Sequence, residues 1–320
     1  MNQPLFIALG AHVLDVHAKY VEAIPEGQGG ALLEEIRISP AGSAGGTAIT
    51  LAKLGARTVS VGAIGTDDLG DVLVTMLQRL GVETDQLARK DGVQTSATVL
   101  PIRPNGDRPA LHVIGANASF TRDDVPWDVI EQAESLHLGA PEFMHELAPE
   151  ILGFCREHGV RTSADVLADG WPELLDMIAP ALENVDWFLP NDDQAMKLTG
   201  ADDPEAAGRA LVERGVGGCA ITCGAAGSVI LTADGAERVP AFQIEVVDTT
   251  GCGDAFSAGF MRGLSLGRAP ADSARLGSAC ASLVAQGLGS DAGEFDLDAA
   301  DRFAAGTPIR EASETAISEA

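Results

Sequence analysis

Residues 246–260 read Val246-Val247-Asp248-Thr249-Thr250-Gly251-Cys252-Gly253-Asp254-Ala255-Phe256-Ser257-Ala258-Gly259-Phe260. A β-rich run, residues 242–247, leads into a Thr/Gly turn. Beyond it Phe256 and Phe260, four apart, put an apolar face on a helix. Gly251 and Gly253 permit turns and close approaches that a Cβ forbids. The unpaired N–H groups of a first helical turn, at the positive end of the dipole, make an anion site. Asp254 falls at the same point. Alone, an Asp there also reads as a helix cap. The glycines around it have no capping purpose, however, and Ala255, Ala258 and Gly259 let the helix lie tightly under a site. A carboxylate beside an anion hole can take a proton from a hydroxyl while amides stabilise charge on a phosphoryl group, and the helix end is expected to keep that carboxylate ionised.

Outward from this segment, short apolar runs alternate with helical patterns. Residues 5–9, 58–64, 136–138, 162–165, 187–189 and 219–223 read as buried strands, and 149–158, 205–214 and 271–285 as helices. That alternation predicts an α/β fold, a three-layer α/β/α sandwich on a mainly parallel sheet. Two regions break the rhythm: 13–38, and 96–113 with its Pro104-Asn105-Gly106-Asp107 turn. They predict a small β-sheet projecting as a lid. The expected division is 1–11, 47–94 and 119–306 for the main domain, 12–46 and 95–118 for the lid, and 307–320 as a loosely held tail.

Composition narrows the function. The 320 residues carry a formal net charge of −26 with lysine only at 19, 53, 90 and 197, a balance that repels nucleic acids and anionic membranes. Any phosphate ligand must then be drawn locally, by backbone amides, a helix end and a divalent metal. Five cysteines without a Cys-x-x-Cys pair, and a start without signal-peptide character, predict reduced thiols and a cytoplasmic location. The six histidines show no metal-ligand spacing, no apolar run is long enough to span a bilayer, and neither a Walker loop nor a dinucleotide fingerprint is present.

The segment Asp248-Thr249-Thr250-Gly251-Cys252-Gly253-Asp254 closely resembles the C-terminal signature of the ribokinase-like (PfkB) family, with Cys252 in the usual Ala position. The resemblance runs along nearly the whole chain and implies an ATP-dependent kinase for a small-molecule acceptor. By it Asp254 is the base, and Gly251, Cys252 and Gly253 give the anion-hole amides; a small side chain at 252 is tolerated because backbone makes the hole. Gly42-Ser43-Ala44-Gly45-Gly46-Thr47-Ala48 resembles the N-terminal signature, where a glycine-rich turn opens a helix against the acceptor, though Gly46 stands where many members place an Asn. Asp15 and Asn117 match acceptor-binding positions. Thr222-Cys223-Gly224-Ala225-Ala226-Gly227 resembles the loop lining the ATP site. Asn191-Asp192-Asp193-Gln194 resembles an element that organises Mg²⁺, with Gln194 replacing an acid. Asp248 and Thr250 match positions that bind a monovalent cation such as K⁺ in several relatives, and Gly277 falls where an adenine-side Asn is common.

The acceptor is less defined. Asp165-Val166-Leu167-Ala168-Asp169-Gly170-Trp171 lacks the Arg that would grip an anionic acceptor, and Gly139 stands where ribokinase has a Glu. A neutral sugar, polyol or nucleoside is expected, with Tyr20 and Phe120 available to stack on a base. A phosphosugar kinase and a catalytically silent sugar or nucleotide sensor are the alternatives. The resemblance also implies a homodimer paired through the lids.

Overall fold

The structure, a computed structural model, describes residues 3–104, 107–167 and 172–310. Asn105 and Gly106 of the lid turn, Asp169 and Trp171 of the acceptor-side segment, and 311–320 of the tail lie outside the described residues.

The chain enters through Leu5–Gly10 (β1) and leaves at once for Val13–Lys19 (β2) and Glu35–Ala41 (β3). It returns through Ser43–Lys53 (α1), Arg57–Gly65 (β4), Asp68–Arg79 (α2) and Glu83–Lys90 (β5). A second excursion forms Ala97–Ile102 (β6) and Leu111–Val113 (β7). Trp127–Ile130 (α3), Ser135–Gly139 (β8), Leu147–His158 (α4), Arg161–Asp165 (β9), Pro172–Leu182 (α5) and Trp187–Phe188 (β10) follow. Next come Asp192–Thr199 (α6), Pro204–Glu213 (α7), Cys219–Thr222 (β11), Ser228–Thr232 (β12) and Gly235–Val239 (β13). Cys252–Ser265 (α8), Pro270–Ala285 (α9) and Leu297–Gly306 (α10) close the described chain.

Nine strands form one sheet in the order β13-β12-β11-β10-β9-β8-β1-β4-β5, parallel from β11 to β5, while β3-β2-β6-β7 make a separate small sheet. The period-two alternation of β1 explains the layers. Ile7 and Leu9 pack with Leu136, Leu138 and the inner faces of α4 to α7, whereas Phe6 and Ala8 face α1 and α8. The fold class is therefore as the sequence predicts, a mostly parallel sheet between helices with a smaller sheet beside it. No helix among the described residues is long and apolar enough to cross a membrane.

Two expectations need correction. Residues 242–247 form no strand: a single bridge pairs Phe242 with Ile309, and Val247 N–H donates to the Ala285 carbonyl, because Ile244 and Val246 turn to wall a cleft. The start of the tail is not loose, since Gln243 donates to the Pro308 carbonyl and Arg310 to that of Ala241. β5 and β13, which gave no apolar signal, are the two edges of the large sheet, where charged side chains blunt further pairing.

Candidate active site

β1 has β4 on one side and β8 on the other, so the connections leaving β1 and β8 part at that point. Open α/β sheets bind ligands in the crevice outside the carboxyl ends of such strands. Gly10 and Gly139 are register partners there, and a Cβ on Gly10 would stand 1.9 Å from the Gly139 carbonyl oxygen. A larger hollow of about 630 Å³, lined by Glu134, Arg161 and Val185, opens at the opposite ends of the strands and has no such geometry.

α8 brings Asp254 to the crevice. Its N-cap is Gly251, left-handed at φ 75°, and a Cβ there would lie 2.5 Å from that of Ser290, so the position requires glycine. Asp254 is the third helical residue and makes no cap, which removes the capping explanation of this side chain. Its Oδ2 would be 2.2 Å from a Cβ built on Gly46. The departure at position 46 thus leaves room for the carboxylate. Burial first, then the neighbouring carboxylates of Asp165 and Asp15, push Asp254 well above the ordinary carboxylate range. The expectation that the helix end keeps it ionised is corrected: burial and like charge raise it. Asp15, buried on β2, is raised to about 6 by burial, against a hydrogen bond from Thr98 and the charge of Arg108. Asp165, at the end of β9, is 7% exposed; its Oδ1 has no hydrogen-bond partner, and its Oδ2 lies 3.5 Å from His137 Nε2.

Other expected residues have structural duties. Asn117 accepts from His12 N–H and donates to the His12 carbonyl, each at 3.1 Å, so its amide pins the β1–β2 junction. The glycine-rich turn does open α1, with Gly42 at φ 89°, but the amides of Ala44 and Gly45 both donate to the Ala11 carbonyl. The helix start is therefore plugged by backbone rather than presented to an acceptor. The Ser43 hydroxyl is buried without a partner beside Gly139. Cys252 N–H turns back to the Thr249 carbonyl at 3.3 Å, whereas Gly253 and Asp254 stand at first-turn positions whose amides lack an intrahelical acceptor. The Cys252 thiol, pushed to about 12 by burial, packs against the Ala281 carbonyl and is no thiolate. Gly277 lies in the α8–α9 contact, where a Cβ would meet the Phe256 carbonyl oxygen at 2.7 Å, and not on a base.

A second cleft, of about 270 Å³, opens on the other side of α8's start. Thr222, Gly224 and Gly227 form one rim with Cys252 and Gly253, and Ile244, Val246 and Ala281 give it apolar walls. A Cβ on Gly253 would meet nothing within 4 Å, so the helix start is open on this side. Apolar walls beside an open anion site fit a nucleotide with its base between aliphatic side chains. Asn191 and Gln194 cap each other across the start of α6, and Gln194 Nε2 also donates to the Val166 carbonyl. Among the described residues no three His, Cys, Asp or Glu groups could cage a metal. Asn191, bridged to Thr222 at the cleft rim, and Gln194 offer neutral amide oxygens, a set that suits a hydrated Mg²⁺ carried by phosphates.

Sequence reasoning missed Arg108, from the β6–β7 connection. Its Nη1 bonds the Thr250 hydroxyl and lies 3.5 Å from Asp248 Oδ1, just before the start of α8. Only a lone cation after a turn marked it. The Asp248 and Thr250 pair is likewise engaged by protein: Oδ1 of Asp248 accepts from Thr250 N–H and Oγ1, and Oδ2 from Gly289 N–H.

Residues 6–295 match the pfkB family carbohydrate kinase domain. This chain belongs to that family. A deoxyribokinase of Salmonella typhi is 26% identical over 257 residues, covering 78% of this chain and 81% of that protein. An ATP-dependent ribose-1-phosphate kinase of Halopiger xanaduensis is 29% identical over 242 residues, covering 75% and 78%. Among solved structures, Arabidopsis thaliana ribokinase complexed with ribose and ATP matches with a TM-score of 0.81 over 95% of this chain and 99% of that one. At 23% identity this likeness shows the fold, which is that of ribokinase.

Proposed function

We propose that this pfkB-family chain transfers the γ-phosphate of ATP to a hydroxyl of a small neutral acceptor, a sugar, polyol or nucleoside, with Asp254 as the base. The observation that carries this reading is the position of Asp254, on the first turn of α8 with an apolar-walled cleft on one side and the Gly46 pocket on the other. The acceptor lies beside Gly46 and Asp15, and Asp15 accepts from its hydroxyl groups. Its reacting hydroxyl gives a proton to Asp254 as the oxygen bonds to phosphorus and the bond to ADP breaks. The Gly253 and Asp254 amides meet the charge that develops on the transferring group. Mg²⁺ bound to the nucleotide would supply neutralisation of the β- and γ-phosphate oxygens. Asp15, Asp165 and Asp254 together repel an acceptor that carries its own phosphate, which favours a neutral acceptor over a phosphosugar.

In this reading the small sheet is a lid. Its outer face has a continuous apolar row, Ile38, Val16, Val99 and Leu111, set side by side by the strand registers, with Ile38 and Val99 each 44% exposed and Leu111 59%. Such a row is the surface through which two lids would pair. A screen of neutral sugars, polyols and nucleosides for MgATP-dependent ADP release tests the function. Turnover on at least one is expected; ATP binding with no turnover on any would favour a sensor.

A further inference from the structure

The turn that follows α9 backs the anion hole, and four of its carbonyls accept from side-chain cations. Lys53, in the last turn of α1, donates to the carbonyls of Asp291, Ala292 and Gly293 at 2.9, 2.8 and 2.7 Å. An ammonium has three donors and no acceptor, so this contact uses it fully. Arg37, reaching across from β3, bonds the Leu288 carbonyl and Asp291 Oδ2, and its Nη1 lies 2.9 Å from Asp291 Oδ1 as an ion pair. The turn held in this way touches the hole directly. Ser290 packs against Gly251, the N-cap of α8, and Gly289 N–H donates to Asp248 Oδ2.

Carbonyl and carboxylate oxygens of this kind are what an alkali ion takes as ligands. Asp248 Oδ1 and Oδ2, Thr250 Oγ1 and the carbonyls of 288 and 291–293 already accept N–H or O–H donors, and Asp291 Oδ1, which accepts none, has its charge met by the Arg37 guanidinium at 2.9 Å. The expected K⁺ therefore does not fit this donor set. We infer that the cation ordering the anion-hole turn is built into the protein, the Lys53 ammonium seconded by the Arg37 guanidinium, so that nucleotide binding needs no monovalent metal ion. Arg37 also ties the lid sheet to the hole, a link a free ion would not make. The inference rests on the kinase reading for the role of the hole, but not for the order of the turn.

The test compares wild-type protein in buffers of equal ionic strength, near 0.1 M, whose monovalent cation is N-methylglucamine, Na⁺ or K⁺. Calorimetric MgATP affinity is expected to agree within about twofold across the three, and Tm within about 1 °C. A roughly tenfold gain in affinity or a rise of several degrees in K⁺ would overturn the inference. Lys53→Met is expected to lower Tm and weaken MgATP binding in N-methylglucamine, with K⁺ or ammonium restoring part of both. A variant equal to wild type, or a loss that no small cation repairs, counts against it. If Lys53→Met fails to fold, the wild-type comparison decides. If MgATP binds in none of the buffers the kinase reading falls, and the Tm comparison still judges the built-in cation.

Discussion

Gly46 leaves its Cα facing the Asp254 carboxylate, and a methyl group there would stand 2.2 Å from Oδ2 and 2.8 Å from Cγ. Gly46→Ala should displace the base and lower kcat by about 100-fold or more, on the scale of a lost general base. Circular dichroism and Tm should stay near wild type, since the displaced group is a side chain at a cleft; unchanged kcat would show that the carboxylate does not work from its observed place. The neighbouring acids make a second prediction. Asp254 must be ionised to accept a proton, and its pKa is raised by burial, then by Asp165 and Asp15. Activity is thus lost as pH falls through a value above the ordinary carboxylate range, and Asp165→Asn should move the acid limb of kcat/KM to lower pH. A limb that stays put, or moves up, would remove Asp165 from the electrostatics of the base. Stability follows the same logic at Asp15: the native state holds its proton up to about pH 6 against 3.8 for an ordinary Asp carboxyl, so unfolding free energy from this group falls as pH rises through that window. Asp254 was legible in sequence because its signals are contiguous. Asp165 and Arg108 were not, because only the ends of β9 and the lid connection bring them to α8.

The contact between α8 and α9 is set by residues without bulk. A Cβ at Gly259 would lie 2.7 Å from the Gly277 Cα, and one at Gly263 would lie 2.7 Å from the Ser273 Cα. This close approach seats Phe256 and Phe260 against Leu189, Ala220 and Ile230, and so fixes where the helix presents its first turn. Gly277→Ala meets the backbone carbonyl of Phe256 and should destabilise the fold by about 1–3 kcal/mol, the usual cost of overpacking. Urea denaturation measures it, and a change below about 0.5 kcal/mol would mean the helices part easily. The small residues of α9 were legible as a helix but not as a crossing, because their partner is another helix and not a ligand. The strands divide by burial: β1, β8 and β11 were readable as apolar runs, whereas β5 and β13, at the sheet edges, are mostly polar or exposed and gave no such signal. Gly42 and Asn117 were flagged as ligand positions by motif alone; their partners prove to be the Ala11 and His12 backbones.

At the scale of the molecule, a net charge of −26 surrounds a site meant for a polyanion. The resolution is local, as Arg37, Lys53 and Arg108 gather from the lid and α1 around the turns that build the anion hole. Sequence separation hid this gathering. The outer face of the lid supports a further prediction: Val99→Glu places a charge in the apolar row and should shift a homodimer to monomer in sedimentation analysis. A wild type that is monomeric at high concentration would dismiss pairing through this face. The account as a whole depends on one carboxylate standing between two pockets. Asp254→Asn, followed by single-turnover phosphotransfer with MgATP binding measured in parallel, tests it most directly. Transfer should fall by about 10²–10⁴-fold with nucleotide affinity and Tm retained; transfer within about tenfold of wild type would contradict the assignment of Asp254 as the base.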